Sequence, residues 1–313
     1  MSVAGTFAIP RPLFIAPATG TDSDPSSSGV SSPIPRTTCG VCPRHCSLAP
    51  GQVGFCRARA NVGGTVACTA YGRVTSLALD PIEKKPIADW RPGTRVLSLG
   101  GYGCNLRCPW CQNFEISQAG ERDVPWRQMT PAEVVGLAEQ LREEDPACIG
   151  IAYTYNEPLV AWEFVRDCAE LAHEHGLANV LVSNGCAEPA VIAALAPLLD
   201  AANIDLKTFS PAVYGECGGD LGTVEATIRV LAATPGCHLE VTTLVVPGVN
   251  DTEGEMRRLA GWLAGVDPEV TLHVTRFFPR WKMADKSPTP VVAVRHLASV
   301  ARESLHHVHT GNL

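Results

Sequence analysis

The chain of 313 residues is 45% hydrophobic and carries a formal net charge of −7, with a pI near 5.7. This length and composition suit one large α/β domain or two small ones with an ordinary hydrophobic core. The acidic balance provides no general attraction for polyanions, so extended nucleic-acid binding is not expected, and protein or small-molecule substrates are favoured.

Cysteine is frequent: the chain has 13, eight of them before residue 112. No N-terminal stretch has the charged, apolar and small-residue order of a secretory signal, and no run approaches the roughly 18 apolar residues of a membrane span. The protein is therefore expected in the cytoplasm, with no membrane contact. In a reducing compartment, clustered cysteines bind metal more often than they form disulfides.

Residues 1–36 are rich in Ser, Pro, Ala and Gly. Such a composition buries too little apolar surface to offset the entropy lost on ordering, so a disordered extension is predicted. A targeting peptide is the alternative, but the aspartates and the scarcity of arginine argue against one.

Four cysteines follow with the spacing C-x2-C-x3-C-x9-C, at Cys39, Cys42, Cys46 and Cys56. Turn-forming residues separate them, as expected for a small closed site that binds zinc or a second iron–sulfur cluster through four thiolates. The alternative is a set of buried or redox-active thiols without metal, and Cys68 lies close enough to complicate the ligand set. Residues 37–92 are interpreted as a small Cys-rich, metal-binding lobe.

The second half of this lobe contains two further predicted segments. The alternating pattern of residues 66–80 predicts a hairpin. The charged sequence DPIEKKP at residues 80–86 indicates a turn, for which a solvent-exposed loop is the simplest explanation.

A glycine-rich loop at residues 100–113 contains Cys104, Cys108 and Cys111, with the spacing C-x3-C-x2-C. Three thiolates so spaced can hold three corners of a [4Fe–4S] cluster and leave the fourth iron open to a substrate or cofactor. The spacing therefore predicts catalysis more than electron storage. A zinc knuckle and three unrelated buried cysteines are the alternatives.

From residue 95 onward, apolar strand-like runs alternate with helical patterns in six successive units. This alternation implies a parallel sheet with right-handed crossovers. Six units are fewer than the eight of a closed TIM barrel, so a partial (β/α)6 barrel is expected over residues 93–313, although a doubly wound sheet would show the same alternation. The predicted strands cover residues 95–99, 148–155, 178–183, 201–209, 238–247 and 271–278, and the predicted helices about 130–143, 158–175, 188–199, 221–234, 252–265 and 289–304.

Polar residues at the carboxyl ends of such strands are candidates for the site. The second strand leads to Glu157, which can accept hydrogen bonds from an ammonium group; capping of the next helix is the alternative. The third strand ends at Ser183 and Asn184, whose short side chains allow a ribose or carboxylate to approach closely, and a simple turn is the alternative.

The fourth strand places Asn203, Asp205 and Lys207 on one face. Polar groups that point into a barrel need partners or a ligand, because their unpaired burial is costly. An internal ion pair between Asp205 and Lys207 is the alternative. In the sixth strand His273 and Arg276 lie on opposite faces, and His273 is predicted to face the site, with a buried core histidine as the alternative.

The cysteine loop resembles the signature of the radical S-adenosylmethionine (radical SAM) superfamily, C-x3-C-x-aromatic-C, with Trp110 at the aromatic position. In that superfamily S-adenosylmethionine (SAM) chelates the open iron and is cleaved by one electron to methionine and a 5′-deoxyadenosyl radical. The resemblance implies a barrel of the radical SAM type. It also implies that the three loop cysteines are catalytic cluster ligands and that the cofactor contacts Tyr102, Trp110, Asn113, Glu157, Ser183, Asn184, Asp205, Lys207 and His273.

A wider set of motifs resembles the AmmeMemoRadiSam-system radical SAM proteins, which are often labelled pyruvate formate-lyase activating enzyme-like. These motifs lie at residues 39–46, 51–59, 80–86, 111–113, 153–158 and 282–290. The resemblance implies an activating-enzyme-like oxidoreductase that abstracts hydrogen from a protein, with glycyl-radical activation as one case, or from a small molecule.

The same resemblance implies several partners: SAM, a reductant such as flavodoxin or ferredoxin, and either a protein substrate or the other proteins of the AmmeMemoRadiSam system. An alternative from a different class is a metal-binding scaffold subunit in a complex with those proteins.

Overall fold

The structure of the protein, a computed structural model, describes residues 35–313. The predicted extension over residues 1–36 lies outside the described residues except for its last two. Within the described part the strands are β1 (Thr37–Thr38), β2 (Ser47–Leu48), β3 (Arg59–Val62), β4 (Thr65–Cys68), β5 (Arg73–Val74), β6 (Ser76–Pro81), β7 (Arg95–Gly100), β8 (Arg127–Gln128), β9 (Cys148–Tyr153), β10 (Ala178–Ser183), β11 (Ala201–Asp205), β12 (His238–Val245), β13 (Thr271–Arg276) and β14 (Val308–Gly311).

The α-helices of the same part follow the strands in alternation from β7 onward. They are α1 (Phe114–Ser117), α2 (Pro131–Glu144), α3 (Trp162–Glu174), α4 (Pro189–Leu195), α5 (Pro211–Glu216), α6 (Leu221–Ala232), α7 (Glu253–Val266) and α8 (Val291–Ala301). Thr130 begins α2 with a capping box, since its hydroxyl accepts a hydrogen bond from Glu133 N and the Glu133 carboxylate accepts one from Thr130 N.

One eight-stranded sheet organises the chain, in the order β14-β13-β12-β11-β10-β9-β7-β6. Every neighbouring pair from β7 to β14 is parallel, and β6 pairs antiparallel with β7. Each of the six predicted units supplies one parallel strand and a following helix. The predicted α/β fold, a partial (β/α)6 barrel, is therefore confirmed, and β14 extends the sheet by one further parallel strand.

The two faces of the sheet have different coverings. The helices pack on one face, where the largest hydrophobic core includes Leu97, Ile151 and Leu181. On the opposite face, called here the inner face, a smaller cluster joins Ile82 and Ile87 to side chains of four strands: Val96, Ala152, Val180 and Ala201. Residues 82–89, called here the floor segment, therefore pack against the inner face.

The N-terminal part of the described chain differs from the expected hairpin at residues 66–80. β4 pairs with β3, β5 pairs with β8, and β6 joins the main sheet. The alternating pattern indicated strands correctly, but it could not identify their partners. Residues 35–313 form one unit, and the predicted division between residues 92 and 93 lies inside it.

Within residues 35–313, no helix combines the length and the apolar composition that a membrane-spanning helix needs.

A buried carboxylate lies at the amino end of the inner face. The fully buried side chain of Glu240 accepts hydrogen bonds from Ala88 N at 3.0 Å, Asp89 N at 2.8 Å, His238 Nε2 at 2.9 Å and the ring of His273. Burial alone would raise the pKa of this carboxyl, but the hydrogen bonds lower it to about 2. Glu240 thus joins the floor segment to two neighbouring strands.

Because the pKa of Glu240 falls on folding from 4.5 to about 2, its contribution to stability is complete above pH 4.5 and is lost as the pH falls toward 2. We expect Glu240→Gln to lower the free energy of unfolding by about 3 kcal/mol at pH 7 and by less at pH 3. Chemical denaturation of the metal-free protein over a pH series measures this difference.

Glu253→Gln is the matched control, because Glu253 also binds a histidine, His296, but is exposed. It should change stability little at any pH. An equal loss for Glu240→Gln at pH 3 and pH 7 would show that packing, and not charge, explains its effect.

Candidate active site at the carboxyl ends of the strands

The loop after β7 brings three cysteines to the carboxyl edge of the sheet. Cys104, Cys108 and Cys111 line one pocket, whose empty volume is about 1450 Å³ including space open to solvent. The loop turns at Gly103, which has a φ of +88°. A hydrogen bond of 3.1 Å from Cys111 N to Cys108 O closes a turn near its end. The thiols of the C-x3-C-x2-C motif therefore share one cavity.

The surroundings of these thiols favour their neutral form. Burial and the nearby Glu157 raise the pKa of Cys104 well above its usual value, and burial raises the pKa of Cys111. A hydrogen bond with the Cys217 thiol, together with burial, raises the pKa of Cys108. Thiols of this kind lose their protons when a metal centre binds them. The donor set therefore fits an iron–sulfur cluster.

Glu157, which follows β9, is a buried carboxylate in the same pocket. It accepts hydrogen bonds from Ser183 Oγ at 2.7 Å, Asn184 N at 2.8 Å and Leu159 N at 3.0 Å. Burial outweighs these bonds and raises its pKa to about 7. Because it accepts the hydrogen bond from Leu159 N, Glu157 also caps the helical turn that begins at Pro158, as the alternative interpretation proposed. The same carboxylate serves the helical turn and faces the pocket.

Asn184 connects Glu157 to the cysteine loop. Its side-chain nitrogen lies 2.8 Å from Asn105 Oδ1 and 3.6 Å from Cys104 Sγ. The Asn105 side chain in turn donates to Cys186 O at 2.6 Å. The ends of β7 and β10 are therefore tied together by side-chain amides at the pocket wall.

Asp205 and Lys207, at the end of β11, form an ion pair of 2.8 Å and both line the pocket. Asp205 and Lys207 therefore form the ion pair that was given as the alternative, and they also line the pocket as expected for site residues. Asn203 lies deeper on the same face, where its side chain donates to Pro86 O at 2.7 Å in the floor segment.

Of the predicted cofactor contacts, all of which lie in the described part, seven line the pocket: Trp110, Asn113, Glu157, Ser183, Asn184, Asp205 and Lys207. Tyr102 and His273 are not among the lining residues. The Tyr102 hydroxyl accepts a hydrogen bond of 3.1 Å from Arg73 behind the loop. His273 binds Glu240 at the amino end of the inner face and stacks on His309, as the core-histidine alternative anticipated.

Several lining residues were missed from the sequence, among them Lys84, Lys85, Tyr155, Thr242 and Asn312. The DPIEKKP sequence was the available signal for the two lysines, but it was interpreted as a surface turn. Thr242 is buried, and within residues 35–313 its hydroxyl has no hydrogen-bond partner. This hydroxyl faces the pocket and can form a hydrogen bond with a bound ligand or an ordered water.

The four N-terminal cysteines, Cys39, Cys42, Cys46 and Cys56, line a second cavity, and Asn105 of the cysteine loop lines it too. The two cysteine sets are therefore adjacent. Within residues 35–313, no three His, Cys, Asp or Glu side chains are already drawn into metal-ligand geometry. Burial raises the pKa of Cys42, and it raises the pKa of Cys56 to about 11, so these thiols also need a cation to ionise.

A family model described as the Radical SAM superfamily matches residues 98–262, more than half of the chain. The chain belongs to the radical SAM superfamily. This match includes the cysteine loop and the three strands that lead to Glu157, Asn184 and Asp205. Membership makes the protein a radical SAM enzyme, a class that uses a [4Fe–4S] cluster, SAM and a source of electrons.

Two relatives and one solved structure illustrate the match. The uncharacterized protein MJ0808 of Methanocaldococcus jannaschii is 39% identical over 89% of this chain and 82% of its own. The 7-carboxy-7-deazaguanine synthase of Thermococcus kodakarensis is 29% identical over 44% of this chain and 59% of its own. A radical SAM methyltransferase from Sphaerobacter thermophilus shares the fold with a TM-score of 0.54, at 16% identity over 70% of this chain and 66% of its own.

A methyl group at Gly103 should disturb the loop, because its Cβ would lie 2.3 Å from Cys56 O and the residue has a positive φ. We expect Gly103→Ala to lower the free energy of unfolding by about 2 kcal/mol or more and to reduce the iron retained per chain after reconstitution. Thermal unfolding and iron analysis measure the two effects.

Gly136→Ala is the control, since a Cβ at Gly136 in α2 meets nothing within 4 Å. It should be neutral or stabilising by up to about 1 kcal/mol. If Gly103→Ala behaved like this control, the close approach of the loop to Cys56 would not constrain the site.

Proposed function

We propose that this enzyme binds SAM and a [4Fe–4S] cluster in the pocket at the strand ends, and that it abstracts hydrogen from a protein or small-molecule substrate. The observation that carries the proposal is the shared pocket of Cys104, Cys108, Cys111 and the buried Glu157. The bound cluster and cofactor supply a 5′-deoxyadenosyl radical, and the chain supplies binding, orientation and exclusion of water.

The loop cysteines would hold three irons and leave one open, because the motif supplies three thiolates. Cys217, whose thiol interacts with Cys108, would donate a hydrogen bond to a ligand sulfur. Such hydrogen bonds influence the reduction potential of a cluster.

The cofactor's ammonium group would bind at Glu157. The carboxylate is already oriented by Ser183 Oγ and Asn184 N, so binding does not have to order it. A cationic ligand also favours the ionised carboxylate, which burial disfavours. Asp205 and Lys207, which form an ion pair in the lining of the same pocket, would bind further polar groups of the cofactor. The carboxylate would accept hydrogen bonds and the ammonium group would donate them.

The pocket opens to solvent, from which a substrate would reach the bound cofactor. A peptide loop of a partner protein, as in glycyl-radical activation, and a small molecule are both candidate substrates. The likeness to a 7-carboxy-7-deazaguanine synthase over 44% of the chain supports a small molecule. A flavodoxin or ferredoxin is the proposed electron donor. The 13 cysteines, all unpaired, are compatible with a reducing cytoplasm.

The second cavity, lined by the four N-terminal cysteines, is proposed to bind zinc or an iron–sulfur cluster. Its support is the C-x2-C-x3-C-x9-C spacing and the presence of all four cysteines in the lining of one cavity. Through Asn105 it lies next to the loop that carries Cys104.

Replacing any loop cysteine should abolish cofactor cleavage, because each supplies one thiolate to the cluster. Cys104→Ala, Cys108→Ala and Cys111→Ala, reconstituted anaerobically with iron, sulfide and a reductant, should each release no 5′-deoxyadenosine above background. Chromatography of the products is the measurement.

Cys148→Ala is the matched control, because Cys148 is buried in β9 and is not among the residues that line the pocket. It should lose stability but retain cleavage. Turnover in any of the three loop variants would contradict the cluster assignment, and SAM binding without cleavage in the wild-type protein would favour a scaffold role.

Metal content tests the second cavity independently. We expect Cys42→Ser to lose one metal centre, measured as zinc or iron per chain, while the absorption of the loop cluster persists. Cys68→Ser should lose none, because Cys68 is not among the cavity's lining residues and its thiol contacts Val160 O at 3.9 Å. Equal metal content in both variants would contradict the second site.

A further inference from the structure

The floor segment, residues 82–89, brings a buried lysine to the pocket. Ile82 and Ile87 anchor the segment against the inner face of the sheet. Between them, Lys84, Lys85 and Pro86 line the pocket. Lys85 is only 3% exposed. A buried ammonium group needs a charged or strongly polar partner. The identity of that partner indicates the structural role of Lys85.

That partner is Asp80, at the end of β6. Its carboxylate lies 2.8 Å from Lys85 Nζ, 3.2 Å from Lys84 Nζ and 2.6 Å from the hydroxyl of Tyr155. The Lys85 ammonium also lies 4.7 Å from the centre of the Tyr155 ring. The ion pair therefore contacts this tyrosine through both its hydroxyl and its ring.

Tyr155 has a left-handed backbone, with a φ of +70°. An aromatic residue rarely adopts this conformation, and the surroundings must supply the free energy that it costs. The side chain is held by Asp80, and the carbonyl oxygen accepts a hydrogen bond of 2.7 Å from Asn113 Nδ2. Gly100 lies so close that a Cβ there would come within 2.9 Å of the tyrosine. Tyr155 is thus fixed from three sides.

The two residues after Tyr155 bind the cysteine loop directly. The Asn156 side chain accepts a hydrogen bond from Gly101 N at 2.9 Å and donates one to Gly103 O at 3.1 Å. Glu157 N also donates to Gly103 O, at 3.3 Å. The conformation at Tyr155 therefore determines where Asn156 and Glu157 meet the loop.

We propose that Asp80 and Lys85 act as positioning residues, which hold Tyr155 in its left-handed conformation and thereby fix Glu157 and the cysteine loop relative to each other. The charged DPIEKKP sequence is then part of the active-site support. Its effect on the cofactor rests on the proposed function, whereas its effect on the backbone of residues 154–158 does not.

Hydrogen exchange tests the structural part without any cofactor. In Tyr155→Phe, which removes only the hydroxyl bonded to Asp80, we expect peptides that cover residues 100–104 and 154–158 to exchange about tenfold faster, because the local opening free energy falls. Asp80→Asn should have at least this effect, because it also removes the charged partner of the buried Lys85. The double variant should be no worse than Asp80→Asn alone, since either substitution disrupts the hydrogen bond between the two side chains.

SAM affinity of the reconstituted, oxidised protein tests the functional part. Equilibrium dialysis should show about tenfold weaker binding in Tyr155→Phe, because only a fraction of the molecules holds Glu157 in place, while the iron content and cluster absorption stay unchanged. Tyr71→Phe is the matched control: it removes a comparable tyrosine–aspartate bond, of 2.5 Å to Asp167, between residues that are not among those lining the pocket. Tyr71→Phe should change neither the exchange of the peptides that cover residues 100–104 and 154–158 nor the affinity for SAM.

The possible outcomes are distinct. Unchanged exchange in Tyr155→Phe would overturn the proposal whatever happens to SAM binding. Faster exchange with unchanged affinity would overturn the step from Tyr155 to the cofactor. If the wild-type protein with its cluster bound no SAM, the proposed function would be wrong, and hydrogen exchange would still decide whether Asp80, the ion-pair partner of Lys85, positions Tyr155.

Discussion

Four parts of the chain meet at the backbone of Gly103, and the arrangement of the site depends on that contact. Its carbonyl oxygen accepts hydrogen bonds from the Asn156 side chain and from Glu157 N, and its amide donates to Ile116 O at 2.9 Å. The carbonyl of Cys56 occupies the space that a side chain at this position would need. The N-terminal lobe, the cysteine loop, α1 and the end of β9 are therefore held in one geometry by a residue that has no Cβ.

Most of the fold could be predicted because its signals are local. Six apolar runs alternate with six amphipathic segments, and the order alone implies a parallel sheet with its functional groups at the carboxyl ends. Glu157, Asn184 and Asp205 follow from this rule. They come from different strands, and the parallel arrangement brings their ends together.

The sequence-based predictions that failed concern how far along a strand a residue lies and which distant residue it contacts. A local sequence pattern contains neither kind of information. Period-two alternation placed His273 on the correct face, but it is the third residue of β13 and so lies near the amino end beside Glu240, whereas Asp205 is the last residue of β11. Residues 80–86 were interpreted as an exposed turn because charge is usually solvated. Asp80, the ion-pair partner of Lys85, lies in the same motif, but Tyr155, which binds Asp80, is 75 positions away. The motif alone therefore does not show that the lysine is buried.

The floor segment also has a consequence for folding. Ile82 and Ile87 pack against side chains of four strands that lie far apart in sequence, from Val96 to Ala201. The segment therefore cannot bury its isoleucines until the centre of the sheet has formed. The part of the pocket that Lys84, Lys85 and Pro86 line is completed only with the tertiary structure.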